Sequence, residues 1–254
     1  MRISLIDANN LYARAWYVVT KTSEEFPQAS ELIKQCLIML KKIKRDYLPD
    51  CLFLCWDGSK DEERMSLYPE YKDRKKKSPE YYKVLNKTRK AIEKETSFIT
   101  VYDSEREADD LIATLARYYD SSENIVQIIT NDKDMFQLVT QNIVVIRPNQ
   151  TGEKKLIDMT NFKKQFNFLP TQFVDYYSMR GDTSDNIPGA MGIGEKTAEK
   201  LISQYSSLEG IYKNLDNIAK GTREKLISSR KNVMLSRKLI TLKTLNLGFK
   251  WMAF

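Results

Sequence analysis

The 254-residue sequence contains no histidine. That absence removes imidazole acid–base chemistry, Ser-His triads and nearly every catalytic zinc arrangement. Cysteine is scarce: Cys36, Cys51 and Cys55 form no CxxC pair, and their odd number argues against a disulfide framework. Buried packing in a reducing cytosol is their expected role. No run approaches the ~18 apolar residues of a membrane span, so no membrane partner is expected. The opening Met-Arg-Ile-Ser-Leu-Ile-Asp reaches an acid too soon for a signal peptide. With 42% apolar residues, the length suits one α/β domain, or one with a smaller helical appendage.

Charge is abundant and unevenly used. There are 41 Lys and Arg against 34 Asp and Glu, a net +7, with a pI near 9.1. If nine acids form one cluster, as argued below, the 25 that remain face 41 basic residues. A basic exterior around an acidic centre is the footprint of a polyanion-binding protein.

The acids gather in two stretches, Glu105-Arg106-Glu107-Ala108-Asp109-Asp110 and Asn131-Asp132-Lys133-Asp134. Glu107 and Asp110, three apart, share one helix face with Asp109 beside them. The following Leu111, Ile112, Leu115, Ala116 and Tyr119 make an apolar stripe at helical spacing. Alone, such a stretch is a helix start with favourable charge. Its surroundings change that reading. Short apolar strands at Ile3–Ile6, Cys51–Trp56, Phe98–Tyr102, Ile125–Thr130 and Ile143–Ile146 alternate with helical segments such as 29–48. The alternation predicts a mostly parallel sheet covered by helices. Ligands of such sheets bind at the carboxyl ends of the strands. Asp7, Asp57, Asp132 and Asp134 stand at those ends, and the Glu107 group follows another strand. So many carboxylates in one cleft repel each other unless cations neutralise them. Oxygen donors without His or Cys point to Mg²⁺ or Mn²⁺.

Residues 58–95 interrupt the α/β rhythm and carry a basic run that includes Lys72, Arg74, Lys75, Lys76 and Lys77, interleaved with Tyr68, Tyr71, Tyr81 and Tyr82. A solvated insertion is one reading. The other is a nucleic-acid clamp, with cations on phosphates and rings for base stacking. Its departure from the sheet directly after Asp57 favours the clamp. Past Asp158 the chain turns helical, with helices expected at 160–167, 171–179, 222–231 and 233–243. The apolar tail Phe249–Phe254 is expected to pack on the body.

Between the helices lies Arg180-Gly181-Asp182-Thr183-Ser184-Asp185-Asn186-Ile187-Pro188-Gly189-Ala190-Met191-Gly192-Ile193-Gly194-Glu195-Lys196-Thr197-Ala198. Gly189 to Thr197 nearly spells a P-loop, but Glu195 is inserted before Lys196 and no strand precedes it. Gly192-Ile193-Gly194 instead reads as the hairpin of a helix-hairpin-helix. Its glycines let backbone approach a phosphate, and amides of the next helix start, at Lys196 and Thr197, point at it. Asp182 and Asp185 add a further acidic face.

Glu107-Ala108-Asp109-Asp110, Thr130-Asn131-Asp132-Lys133-Asp134 and the Gly181 to Ala198 stretch, in this order, resemble the 5′ nucleases of the flap endonuclease type. That family includes phage replication exonucleases and the nuclease domain of bacterial DNA polymerase I. The resemblance runs from Asp7 to about residue 245. It implies a PIN-like nuclease core over 1–160 with a helical arch at 58–95. A helical DNA-binding region follows over 161–254, with a helix-three-turn-helix at about 178–204. It implies a metal-ligand set of Asp7, Asp57, Glu107, Asp109, Asp110, Asp132, Asp134, Asp182 and Asp185, two Mg²⁺ replaceable by Mn²⁺, and K⁺ held by carbonyls of the glycine hairpin. Arg64 and Lys72 match the basic residues at the arch base, which draw the scissile phosphate to the metals. Tyr71, Arg74, Lys75, Lys76, Lys77, Gly192, Gly194, Lys196 and Thr197 are the implied DNA contacts. Two departures stand out: Ala8 follows Asp7 where the family has glycine, and Tyr71-Lys72-Asp73-Arg74-Lys75 departs from Tyr-Lys-x-x-Arg.

The expected activity is two-metal hydrolysis of DNA phosphodiesters near 5′ flaps, nicks and free 5′ ends, leaving 5′-phosphate and 3′-hydroxyl. The expected protein is a free-standing monomer for replication and repair, in a bacterial or phage-infected cytoplasm. RNA-primed DNA as a substrate stays open, as does the balance of exonuclease and flap cleavage. The rival readings are a non-catalytic branched-DNA-binding protein and a related metal-dependent RNase.

Overall fold

The computed structural model describes residues 1–22, 26–73, 77–148 and 154–246. Six strands form one sheet: β1 (Arg2–Asp7), β2 (Cys51–Trp56), β3 (Ile99–Tyr102), β4 (Ile125–Ile129), β5 (Ile143–Pro148) and β6 (Lys154–Ile157), in the order β3-β2-β1-β4-β5-β6. The first five run parallel, and β6 pairs antiparallel with β5. β1 and β2 are buried over five of their six residues, the continuous apolar run that a parallel strand covered on both faces requires.

Two layers cover the sheet. On one face lie α1 (Ala8–Thr22), α2 (Ala29–Tyr47) and α4 (Pro79–Glu95), with Tyr12, Leu32, Cys36, Leu40, Leu85 and Ile92 packed around Ile6, Leu54 and Trp56. On the other, α5 (Ala108–Tyr119) lies under the C-terminal helices and shares one core with them through Leu111, Phe136, Phe162, Phe173 and Ile202. Those helices are α6 (Met159–Gln165), α7 (Phe173–Arg180), α8 (Glu195–Tyr205), α9 (Leu208–Lys213), α10 (Lys220–Ser228) and α11 (Arg230–Ile240). Among the described residues no helix is long and apolar enough to cross a membrane.

Sequence and structure differ in three places. Residues 8–22 form a helix, α1, that no sequence period announces, and it buries Ala8, Leu11, Tyr12 and Ala15. Its β-favouring Trp16-Tyr17-Val18-Val19 obscures the helical period. β6 is a four-residue edge strand with two lysines, too short and polar to stand out. The lysine-rich α4 is not a fully solvated insertion, and Arg89 on it lies over the ring of Tyr102 at the end of β3. Ser78 caps it, accepting from the Tyr81 amide at 3.2 Å, with Pro79 in the first turn. Its Leu85, Thr88 and Ile92 are buried on the side of α2. The short α3 (Glu62–Leu67) and the turn after it reach the acidic edge. The tail 247–254 lies outside the described residues.

Candidate metal and nucleic-acid site

The carboxyl ends of β1, β2 and β4 lie side by side, since Asp7 pairs in register with Cys55 and Ile6 with Ile129. Each acid there is oriented by a helix start or a turn. Asp7 caps α1, accepting from the Asn10 amide at 2.8 Å through Oδ1 and from Thr130 Oγ1 at 2.8 Å through Oδ2. Ala8 therefore enters a regular helix, and this turn needs no glycine. Asp57 accepts from the Ala108 amide at 2.8 Å and so caps α5 from the neighbouring strand end. Asp132 accepts from the Asp134 amide at 2.9 Å. Asp182 accepts from Ser184 N and Oγ at 2.8 and 2.6 Å.

These acids crowd one another. Burial first, then the charges of Asp109 and Asp57, push Asp7 up to about 8. Burial and Asp109 push Asp57 up to about 6. Asp134 is driven well above the usual carboxylate range by burial, then by Asp132, Asp109 and Asp182. Asp109 thus links two groups: Asp7 with Asp57, and Asp134 with Asp132 and Asp182. Asp185 is buried at the edge of the second group's loop. Among the described residues no three acids stand as a ready-made ligand set. Their chemistry, oxygen donors alone under mutual repulsion, nevertheless fits hard divalent cations.

Lys72 meets this charge directly. Its ammonium lies 3.0 Å from Asp109 Oδ2 and 3.4 Å from Glu107 Oε1. Burial works against the charge, but Asp109, Tyr71, Glu107 and Asp57 outweigh it and hold Lys72 well above its ordinary value.

Three expected site residues take a different place. Asp110 is fully buried, and Arg64 grips it in a two-pronged pair at 2.7 and 2.9 Å. The Lys243 amide adds a bond at 2.8 Å to the same carboxylate, so Asp110 faces the interior. Arg64 is 2% exposed and also donates to Glu107 Oε2 at 2.8 Å and to the Thr241 carbonyl at 2.9 Å. It orients Glu107 from behind, which corrects the expectation that it reaches a phosphate. Tyr71 is buried as well, its hydroxyl 3.3 Å from Glu107 Oε2 and its ring below Lys72. It props the acids, where a stacking platform for DNA was expected. Glu107 therefore has one oxygen held inside and the other turned to Lys72.

Arg74, Lys75 and Lys76 lie outside the described residues. Lys77 is exposed, with its ammonium 5.9 Å from the Tyr81 ring. In the glycine hairpin, Gly181 and Gly189 (φ +73 and +63) pack backbone on backbone; a Cβ on Gly189 would lie 2.5 Å from Gly181 N. Gly192 has φ +75, and Lys225 Nζ donates to its carbonyl at 3.1 Å. Gly194 caps α8 and, with Lys196, faces solvent, while Thr197 is half-buried in the first turn. The hairpin is braced from behind by Ser229 Oγ on Met191 N and Ser236 Oγ on Gly189 N, each at 3.0 Å. Met191 at its tip is 83% exposed.

The acid-lined edge of this mostly parallel sheet stands beside the glycine-rich loop, joined to it by the hydrogen bond from the Lys72 amide to the Asp185 carbonyl. Residues 2–167 match the family model for the 5′-3′ exonuclease N-terminal resolvase-like domain, and residues 168–252 match its C-terminal SAM fold. The chain belongs to the 5′-3′ exonuclease family. It is 32% identical over 242 residues to a 5′-3′ exonuclease of Mycoplasmopsis pulmonis, covering 94% of this chain and 79% of that protein. It is 33% identical over 247 residues to DNA polymerase I of Caldicellulosiruptor bescii, covering 95% of this chain but only 29% of the polymerase. The chain thus spans under a third of that relative's length. Its fold resembles bacteriophage T5 flap endonuclease, solved in a pseudo-enzyme–product complex with DNA and metal ions. The TM-score is 0.75 at 22% identity, covering 95% of this chain and 89% of that one.

Proposed function

We propose that this chain is a Mg²⁺-dependent 5′-3′ exonuclease and flap endonuclease. It hydrolyses DNA phosphodiesters near 5′ flaps, nicks and free 5′ ends, acting as a monomer. The observation that carries the reading is the crowding of Asp7, Asp57, Glu107, Asp109, Asp132, Asp134 and Asp182 at one sheet edge, with the Lys72 ammonium on Asp109 and Glu107 and Asp185 in the adjoining loop. These carboxylates would hold two Mg²⁺, for which Mn²⁺ could substitute, and the pair would supply Lewis-acid activation of water and charge neutralisation at the departing oxygen.

The protein's own groups do the rest. Lys72 leaves Asp109 and Glu107 to meet the scissile phosphate, offsetting the charge that grows on it. Arg64 and Tyr71 keep Glu107 turned toward the cleft. Gly192, Gly194 and the α8 start at Lys196 and Thr197 present backbone amides to a phosphate of the duplex. The hairpin carbonyls would hold K⁺, and Lys225 donates to one of them, that of Gly192. Lys77 and the basic residues before it hold the 5′ single strand.

The test is cleavage of a 5′-flap duplex by the purified protein with and without Mg²⁺, beside nicked and RNA-primed duplexes. Mg²⁺-dependent release of the flap is expected. Asp134→Asn should abolish release while flap affinity stays within a few-fold. Tight binding without cleavage would instead mark a branched-DNA-binding protein, and cleavage confined to RNA a ribonuclease.

A further inference from the structure

Four non-glycine residues among those described have left-handed backbone: Leu48, Lys72, Asn186 and Ser206. Leu48 and Ser206 cap the C-termini of α2 and α8, where that conformation is ordinary. Lys72 (φ +50) and Asn186 (φ +56) end no helix. Both belong to one contact: Asn186 Nδ2 donates to the carbonyl of Glu70, 116 residues away in sequence, at 3.0 Å, and the Lys72 amide donates to the Asp185 carbonyl at 3.0 Å. Left-handed backbone costs a lysine more than an asparagine, and it persists only where neighbours over-determine it.

These two hydrogen bonds join the turn that carries Lys72 to the loop of Asp182 and Asp185. We propose that Asn186 is a positioning residue for Lys72. Its amide latches Glu70, the latch holds residue 72 left-handed, and that backbone aims the ammonium at Asp109 and Glu107, 3.0 and 3.4 Å away. The inference rests on the proposed role of Lys72 in cleavage. It adds a mechanical link: the loop leading into the duplex-binding hairpin sets the position of the cation at the acids.

Asn186→Gly and Asn186→Ala both delete the donor, and glycine keeps the left-handed backbone available, so agreement between them isolates the hydrogen bond. Each is expected to slow single-turnover flap cleavage about tenfold, the order expected of one hydrogen bond aligned for the reaction. Flap affinity in EDTA should change less than about twofold. In metal-free protein, hydrogen exchange at the Lys72 amide should quicken in both variants. Combined with Lys72→Ala, either substitution should add no further loss, because the two act through one group. Wild-type cleavage in both variants, or a loss of equal size in the Lys72→Ala background, would overturn the inference. Lys72→Ala cleaving like wild type would instead overturn the role of Lys72, and the latch's function with it.

Discussion

The buried Arg64 carries the sharpest energetic prediction. Its guanidinium, 2% exposed, is the counter-charge for Asp110 at 0% and Glu107 at 4% exposure. Arg64→Met keeps most of the side-chain volume, so loss of packing is a minor part of the effect. What remains is two buried carboxylates with their shared cation gone, a change that costs roughly 3–5 kcal/mol. Asp110 keeps the Lys243 amide, and Glu107 keeps the Tyr71 hydroxyl and Lys72, which sets the expectation near the lower bound. Against a total stability of about 5–15 kcal/mol, even that is a large fraction. With an m-value of about 3 kcal/mol/M, the urea midpoint falls by about 1 M. The assay is urea unfolding followed by far-UV circular dichroism near neutral pH. Arg64→Met with Asp110→Leu should recover much of the loss, since a buried pair exchanged for apolar groups is often neutral. If Arg64→Met stays within about 0.5 kcal/mol of wild type while cleavage collapses, the structural assignment fails and Arg64 returns to the phosphate.

Other predictions follow from the same charges. Asp7, Asp57 and Asp134 all have folded-state values above the ordinary 3.8, about 8 and about 6 for the first two. The folded chain therefore holds protons that the unfolded chain has lost, and metal-free protein loses stability as pH rises from about 4 to about 8. Thermal melts in EDTA should show that decline, and Mg²⁺ should flatten it; melts that rise with pH would contradict the crowding. Lys225→Met removes the ammonium on the Gly192 carbonyl and should make duplex affinity more dependent on K⁺ at fixed ionic strength, measured against tetramethylammonium. Lys243→Met strips the cation from buried Asp61, bonded at 2.7 Å through both oxygens. A loss of about 2 kcal/mol or more in urea unfolding is expected.

Much of the site was legible in the linear sequence because it obeys local rules. Strands ending in Asp7, Asp57 and the Asp132 turn follow from apolar runs stopping at an acid. A parallel sheet must then bring those ends to one edge. The glycine hairpin was legible because glycine takes positive φ without strain, as Gly181, Gly189 and Gly192 do. Which acids face the cleft was decided elsewhere. Asp109 and Asp110 are neighbours of one type at one helix start, and only the arrival of Arg64 and the Lys243 amide, 46 and 133 residues away, turns Asp110 inward. Tyr71 and Arg64 looked like DNA contacts because a basic, aromatic-rich segment gives no sign of which rings it buries. Asn186 stood in plain view within an acidic, glycine-rich stretch, yet its partner Glu70 belongs to another element. Sequence spacing fixes what happens within a helix turn or along a strand. The pairing of charges across a cleft depends on which distant surfaces desolvate each other, and only the folded chain settles that.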